Sequence, residues 1–297
     1  MGAGGDCRQF AVKIVDVPAS ASGPWPAPAK LNLLLHITGR RADGYHELQT
    51  LFQFLTFGDW LYFDVRGDPD VHLSGEPAGV PAADDLCVRA ARLLKKSTGC
   101  SAGVVIYNDK QLPAGGGLGG GSSDAATTLA VLNKLWNLGL SIDELAGLGL
   151  RLGADVPVFI RGQAAWAEGV GEILTPVSPP EPWFLVVNPQ VSVSTANIFS
   201  DPGLTRDTPR TKIPDPLTGV GNNDCEAVVR RRYPEVATAL DWLNAFAPAR
   251  MTGTGACVYA AFESEAAANV IAGQVPANWS NFVARGINLS PLRQALV

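Results

Sequence analysis

The sequence predicts an α+β fold in two lobes that meet at a cleft. Strand-like segments dominate the first part of the chain, a pair of helices follows a glycine-rich centre, and strands mixed with helices fill the rest. The length of 297 residues is close to that at which a single core divides in two. No repeat with a period of about 20–50 residues runs through this order. Residues 1–24 read as an N-terminal extension, residues 25–180 as the N-terminal lobe and residues 181–297 as the C-terminal lobe.

Within the extension, residues 10–17 read as an edge strand and PASASGP as a linker, with no chemistry assigned. Lys30, Asn32, Leu34 and His36 then alternate with Leu31, Leu33, Leu35 and Ile37, the period-two pattern of a half-buried strand. GRRADG, residues 39–44, is a turn, and residues 45–55 resume with mixed apolar character. Residues 60–65 and 71–74 read as two more strands. Asp84 and Asp85 open a helix that sets Leu86, Ala90, Leu93 and Leu94 on one face. The β-branched run GVVIY, residues 103–107, is a strand.

Helices are predicted over residues 124–136, where Leu129, Leu132 and Trp136 share a face, and over 142–152, opened by a capping box of Ser141 and Glu144. Residues 164–177 read as a hairpin around Gly169 and Gly171, residues 183–188 as a strand, and residues 191–199 as a loop entering a short helix at Thr195. Residues 200–221, rich in proline, form a long surface connection to helices over 224–233 and 235–246. MTGTGACVYAAF, residues 251–262, is a second glycine turn running into a strand, and a helix over 264–275 and a strand over 281–287 close the chain.

The centre of this order, LPAGGGLGGGSSDAA at residues 112–126, carries the chemistry. It reads strand, glycine loop, helix, with Ser122, Ser123 and Asp124 as the residue types that cap a helix start. Glycines allow sharp backbone turns and leave no Cβ in the way of a ligand. Unpaired N–H groups at a helix start, together with the helix dipole, suit a phosphate. A Walker loop requires Gly-Lys-Ser/Thr, and the next lysine after these glycines is Lys134, deep in the helix. A dinucleotide loop wants an acidic residue about 20 positions on at the end of a second strand; Asp143 has that distance but opens a helix.

Two single residues pose complementary questions. Lys30 opens a strand among apolar neighbours, and either snorkels to water from an edge or meets a partner. Asp155 lies between a helix end and Pro157 on a tight connector, as a turn residue or as a buried acid needing a cation.

Bulk properties exclude several classes. A net charge of −5 argues against a nucleic-acid partner. Five scattered cysteines without CxxC spacing read as free thiols in a reducing compartment, and three histidines do not make a His-rich metal site. No apolar run reaches the ~18 residues of a membrane span, and the N-terminus lacks the pattern of a signal peptide. The expectation is a cytoplasmic protein with a small-molecule substrate, no nucleic acid and no membrane.

PAPAKLNLLLHITGRRADGYHELQT, LPAGGGLGGGSSDAA and MTGTGACVYAAF together resemble the three signature motifs of the galactokinase, homoserine kinase, mevalonate kinase and phosphomevalonate kinase (GHMP) superfamily. AKLNL followed by RADGYHELQTLFQFL, with GLRLGADVPVFIRGQAAWAEGVGE, is similar to the branch whose substrate is a cytidine diphosphate methylerythritol. The likeness runs from Pro26 to the C-terminus, GNNDCE and GINLSPL included. It implies a ribosomal-protein-S5-like N-terminal lobe that binds ATP, a smaller α/β C-terminal lobe, and transfer of a phosphoryl group to a hydroxyl with Mg2+ as the accompanying ion.

By the same resemblance, Lys30 and Asp155 correspond to the catalytic pair. Pro113, Ala114, Gly115, Gly116, Gly117, Leu118, Gly119, Gly120, Gly121, Ser122 and Ser123 correspond to the ATP phosphate loop, with Ser123 also a Mg2+ ligand. Tyr45, His46 and Phe199 fall where the cytosine ring is held. Asn32, Thr195, Thr252 and Gly253 fall near the substrate's phosphates and polyol. A homoserine or mevalonate kinase, which would not carry the GYH and NIF elements, is the nearest alternative. A nucleotide-binding oxidoreductase is the alternative from another class.

Overall fold

A computed structural model describes residues 16–75, 81–213 and 221–297. The first lobe is organised on two long antiparallel strands, β1 (Ser22–Arg40) and β2 (His46–Arg66). β3 (Val71–Ser74), α1 (Leu86–Thr98) and β4 (Gly103–Asp109) follow. Then come α2 (Gly120–Leu135), α3 (Ile142–Leu150), α4 (Val156–Arg161) and the hairpin of β5 (Ala165–Glu168) and β6 (Ile173–Pro176). The second lobe holds β7 (Trp183–Asn188), α5 (Thr195–Phe199), α6 (Glu226–Arg232) and α7 (Pro234–Asn244). It continues with β8 (Ala249–Met251), β9 (Val258–Phe262), α8 (Glu265–Ala272) and β10 (Ser280–Ile287), and α9 (Pro291–Leu296) ends the chain.

Hydrogen bonding runs without a break in the order β3-β4-β2-β10-β7-β9-β8, with β1 and β5 also on β2 and β6 on β5. β10 makes the join: it pairs with β7 along most of its length and then with β2 through Gly286–Leu55 and Ile287–Phe54. One apolar cluster packs Leu94, Leu129 and Phe159 of the helices on Phe54, Phe63 and Ile106 of the strands. A second gathers Leu185, Val229, Leu240 and Val258 in the other lobe. A third lies between them, where Leu31, Leu55, Leu118 and Trp166 meet Phe184 and Tyr259. Each such side chain taken fully from water contributes about 1.5–3 kcal/mol.

Several sequence expectations are corrected. The segments read as 45–55 and 60–65 form one strand, whose register with β1 shifts between the Phe54–Lys30 and Gly58–Pro28 pairs; Gly58 lets β1 approach so closely that a Cβ would collide with the Ala27 carbonyl oxygen. The linker reading of residues 18–24 gives way to β1 from Ser22, and most of the edge strand read at 10–17 lies outside the described residues. α2 begins earlier than predicted, at Gly120, with Gly119 at the N-cap and no side-chain cap. α4, β8 and α9 were not anticipated. α9 also returns to the first lobe, where Leu292 joins the first cluster, so the span read as the second lobe gives its end back. The capping box of Ser141 and Glu144 forms as predicted.

The connection after α5 is laid across the first hairpin. The Thr208 N–H donates to the Ile37 carbonyl oxygen at 3.0 Å, and the Gln49 amide exchanges two 2.9 Å hydrogen bonds with the backbone of Thr211. Residues 214–220 of that connection are outside the described residues. Among the described residues no helix is long and apolar enough to cross a membrane.

Candidate active site

The glycine loop between β4 and α2 is fixed from behind. The Ala256 and Cys257 N–H groups donate to the carbonyls of Gly115 (3.2 Å) and Gly116 (3.1 Å). The Lys30 N–H donates to Leu118 at 2.9 Å, and Gly117 accepts from Lys30 Nζ at 3.0 Å and Thr252 Oγ1 at 3.2 Å. The second glycine turn is therefore the back support of the first. Gly117 has φ +74° and sits so tightly that a Cβ would collide with the Thr252 carbonyl oxygen. Gly119, at φ +73°, starts α2 in a left-handed conformation that offers no side chain to cap it. Among the described residues, no backbone carbonyl accepts from the N–H groups of residues 114–122. They remain as donors for an anion, at the positive end of a helix of 16 residues.

Lys30 is 3% exposed on β1 beside this loop. Its ammonium reaches three acceptors: Asn32 Oδ1 at 2.5 Å, the Gly117 carbonyl at 3.0 Å and Asp155 Oδ2 at 3.4 Å. Asp155 immediately precedes α4 in helical conformation (φ −81°, ψ −15°), and its carboxylate caps nothing. Pro157 in the first turn of α4 lacks the N–H that would have competed for it. The carboxylate is one-third exposed toward the cleft, and 3.4 Å is longer than the ~2.7–2.9 Å of a committed charged hydrogen bond. A charge pair about 4 Å apart is worth about 4 kcal/mol at an effective dielectric near 20, before desolvation. The two questions thus answer each other with one correction: Lys30 is buried and paired, whereas Asp155 is a half-buried acid at the cleft, not an enclosed one.

Asn32 is held by Thr50 Oγ1 at 2.8 Å through its amide, while its backbone N–H donates to Thr252 Oγ1 at 3.0 Å. Thr252 is fully buried with its hydroxyl spent on Asn32 and Gly117, which corrects its expected place against substrate: it braces the loop. Gly253 does line the cleft, as does Thr195, whose hydroxyl bonds that of Thr254 at 2.9 Å. Ser123 is also corrected. It is 0% exposed, with Oγ unpaired inside the lobe, and does not reach the cleft as a metal ligand; Ser122 does.

The cleft, about 1520 Å³, runs between the lobes along the loop, from Lys30, Asn32 and Asp155 to Tyr45, His46 and Phe199. His46, at the start of β2, is 9% exposed, and its ring lies 5.0 Å from that of Phe199 at an angle of 35°. Tyr45 stands at the rim, 64% exposed. His46 Nε2 accepts from Arg206 Nε at 3.0 Å, and burial, Arg206 and Arg40 hold its pKa below 6.5. At the other end, Lys110 bridges the buried Asp59 (2.5 Å) and Asp124 (2.8 Å), and Asn108 donates to Asp124 at 3.0 Å. Burial and Asp124 push Asp59 up to about 7, while the two carboxylates outweigh burial and raise Lys110. Arg206, Lys110, Asp59 and Asn108 escaped sequence reading. Lys110 had a signal, a lysine immediately upstream of the glycine loop; Arg206 had none.

Comparison with known proteins matches this architecture. Residues 85–163 match the GHMP kinases N terminal domain and residues 216–281 the GHMP kinases C terminal domain. Solved structures of the class share the fold, including an L. major mevalonate kinase in complex with R-mevalonate (TM-score 0.64, 14% identity, 93% of this chain and 99% of that one). Fold, loop and cleft together define a GHMP-type kinase.

The chain is 62% identical over 271 residues to 4-diphosphocytidyl-2-C-methyl-D-erythritol kinase of Pseudomonas paraeruginosa, and 60% identical to that of Pseudomonas syringae; each alignment covers 91% of this chain and 96% of the relative. A crystal structure of 4-(cytidine 5'-diphospho)-2C-methyl-D-erythritol kinase superposes with TM-score 0.76 at 32% identity, over 88% of this chain and 98% of that one. The chain belongs to the 4-diphosphocytidyl-2-C-methyl-D-erythritol kinase family.

Proposed function

We propose that the protein transfers the γ-phosphoryl group of ATP to the 2-hydroxyl of 4-diphosphocytidyl-2-C-methyl-D-erythritol, with Asp155 as general base and Lys30 as charge stabiliser. The observation that carries this reading is the Lys30–Asp155 pair, 3.4 Å apart beside the glycine loop. The hydroxyl oxygen bonds to phosphorus, the bond to the bridging oxygen breaks, ADP leaves, and the hydroxyl proton passes to Asp155. Such transfer is positioning and charge stabilisation, so preorganised donors dominate it. The N–H groups of residues 114–122 receive the phosphates, and Lys30, anchored by Asn32 and Gly117, faces the charge that builds on the transferring group.

The lining fits a hard cation that keeps phosphate oxygens and water as its main ligands, since the Ser122 side of the cleft offers a neutral oxygen donor beside the loop and leaves Asp155 free for the proton. Mg2+ there would neutralise phosphate charge. Tyr45, His46 and Phe199 hold the cytosine ring, and Asn32, Thr195 and Gly253 lie along the rest of the substrate. The protein works in the cytoplasm, in keeping with four described cysteines that form no disulfide. A coupled ADP-release assay across cytidine-diphospho-methylerythritol, homoserine and mevalonate tests the assignment. Turnover confined to the first is expected; turnover of either other substrate with none of the first overturns it.

A further inference from the structure

Resting on the reading that His46 faces the base, we propose that Arg206 sets the tautomer of His46 and thereby which hydrogen-bonding partner the base pocket presents. The Arg206 Nε–H donates to His46 Nε2 at 3.0 Å. A guanidinium in a protein does not lose its proton, so the nitrogen that accepts from it must be unprotonated. A neutral imidazole with bare Nε2 carries its proton on Nδ1. Among the described residues Nδ1 has no hydrogen-bond partner, and it is absent from the fully enclosed polar atoms, so this N–H is open on a residue that lines the cleft.

Arg206 is itself locked. Nη1 donates to the Leu204 carbonyl at 3.0 Å, and Nη2 donates to those of Phe199 and Asp201, each at 2.8 Å. One side chain therefore fixes the ring's tautomer and ties it to the backbone of Phe199, its aromatic neighbour. The chemistry of the bases gives this a direction. Cytosine presents N3 and O2 as acceptors, whereas uracil presents an N–H at position 3. A fixed Nδ1–H matches the first and opposes the second; a ring free to place its proton on Nε2 would tolerate both. Arg206 acts through His46 and is a specificity-positioning residue.

The tautomer is read directly from long-range 1H–15N spectra of the protein without substrate, with His46→Asn identifying the signal among three histidines. A protonated Nδ1 and bare Nε2 are expected; a proton on Nε2 overturns the proposal without touching the base-reading role. Arg206→Lys, which can only donate, keeps the tautomer. Arg206→Gln, whose amide can donate or accept, mixes the two forms. In the glutamine variant, kcat/KM discrimination between cytidine and uridine diphospho substrates should fall about tenfold, the scale of one hydrogen bond, chiefly through KM. Unchanged discrimination in a glutamine variant whose spectrum shows mixed tautomers overturns the specificity role. If His46→Ala leaves discrimination intact, the base-reading assignment fails instead, and the spectrum still reports on Arg206.

Discussion

The Lys30 ammonium lies closer to the Gly117 carbonyl oxygen, at 3.0 Å, than to the Asp155 carboxylate, at 3.4 Å. With Asn32 Oδ1 as the third acceptor, Lys30 retains two partners when the Asp155 carboxylate is replaced by an amide. Asp155→Asn should therefore fold normally, with a Tm close to wild type, and bind both substrates. Its kcat should drop by the ~10²–10⁴-fold that a general base contributes. Calorimetric binding alongside steady-state kinetics checks this, and a variant keeping a tenth of wild-type kcat would remove Asp155 from the base role.

Lys30→Ala removes a buried charge stabiliser and should raise the barrier by about 3–4 kcal/mol, seen in kcat. A normal kcat with only KM raised would make Lys30 a binding residue. This variant should also melt earlier, because Asn32 Oδ1 and the Gly117 carbonyl each lose a donor.

Two glycines separate conformational strain from collision. Gly139, at φ +71°, has open space where a Cβ would go; Gly117, at φ +74°, would press its Cβ into the Thr252 carbonyl oxygen. Gly139→Ala should cost about 1–2 kcal/mol, the left-handed penalty alone. Gly117→Ala should cost clearly more and weaken ATP binding as the loop parts from the second glycine turn. Equal losses in urea titrations of the two variants would contradict the close packing at Gly117.

His46 gives a pH dependence with a definite sign. Burial, Arg206 and Arg40 hold its folded pKa below 6.5. Between that lowered value and 6.5, the unfolded chain binds a proton that the native protein does not. The stability it contributes is thus complete above about pH 6.5 and is lost as pH falls toward the lowered value. KM for the cytidine substrate should stay flat down through about pH 6.5 and rise only below it. In Arg206→Gln the rise should begin at higher pH; a wild-type KM already climbing above about pH 6.5 would refute the neutral ring.

Where pattern is local, the sequence was readable. Period-two alternation around Lys30, the capping box at Ser141 and the β-branched run before the glycine loop each announce an element without reference to the rest of the chain. The expected half-burial of the first is corrected: β1 starts at Ser22 and residues 26–35 are buried on both faces, because tertiary packing covers the polar side as well. α4 and α9 are one and a half turns long, too short for helical periodicity to register, though Pro157 and the Ser290–Pro291 pair mark their starts. The gap between the segments 45–55 and 60–65 closes into one strand because Gly58 serves close packing against β1, which no local pattern reveals. In the site, Lys30 and Asp155 stood out because each was awkward alone. Thr252 and Ser123 sit within the right motifs, but which way a side chain points is decided by tertiary packing. Arg206 belongs to a proline-rich stretch with no pattern, and its role exists only once residues 199–206 fold back on β2.

The pairing of Gly286 and Ile287 with Leu55 and Phe54 has a mechanical consequence. Shared strand bonds and a common apolar seam through the middle tie the melting of one half to that of the other, so denaturation should register as one cooperative event in calorimetry.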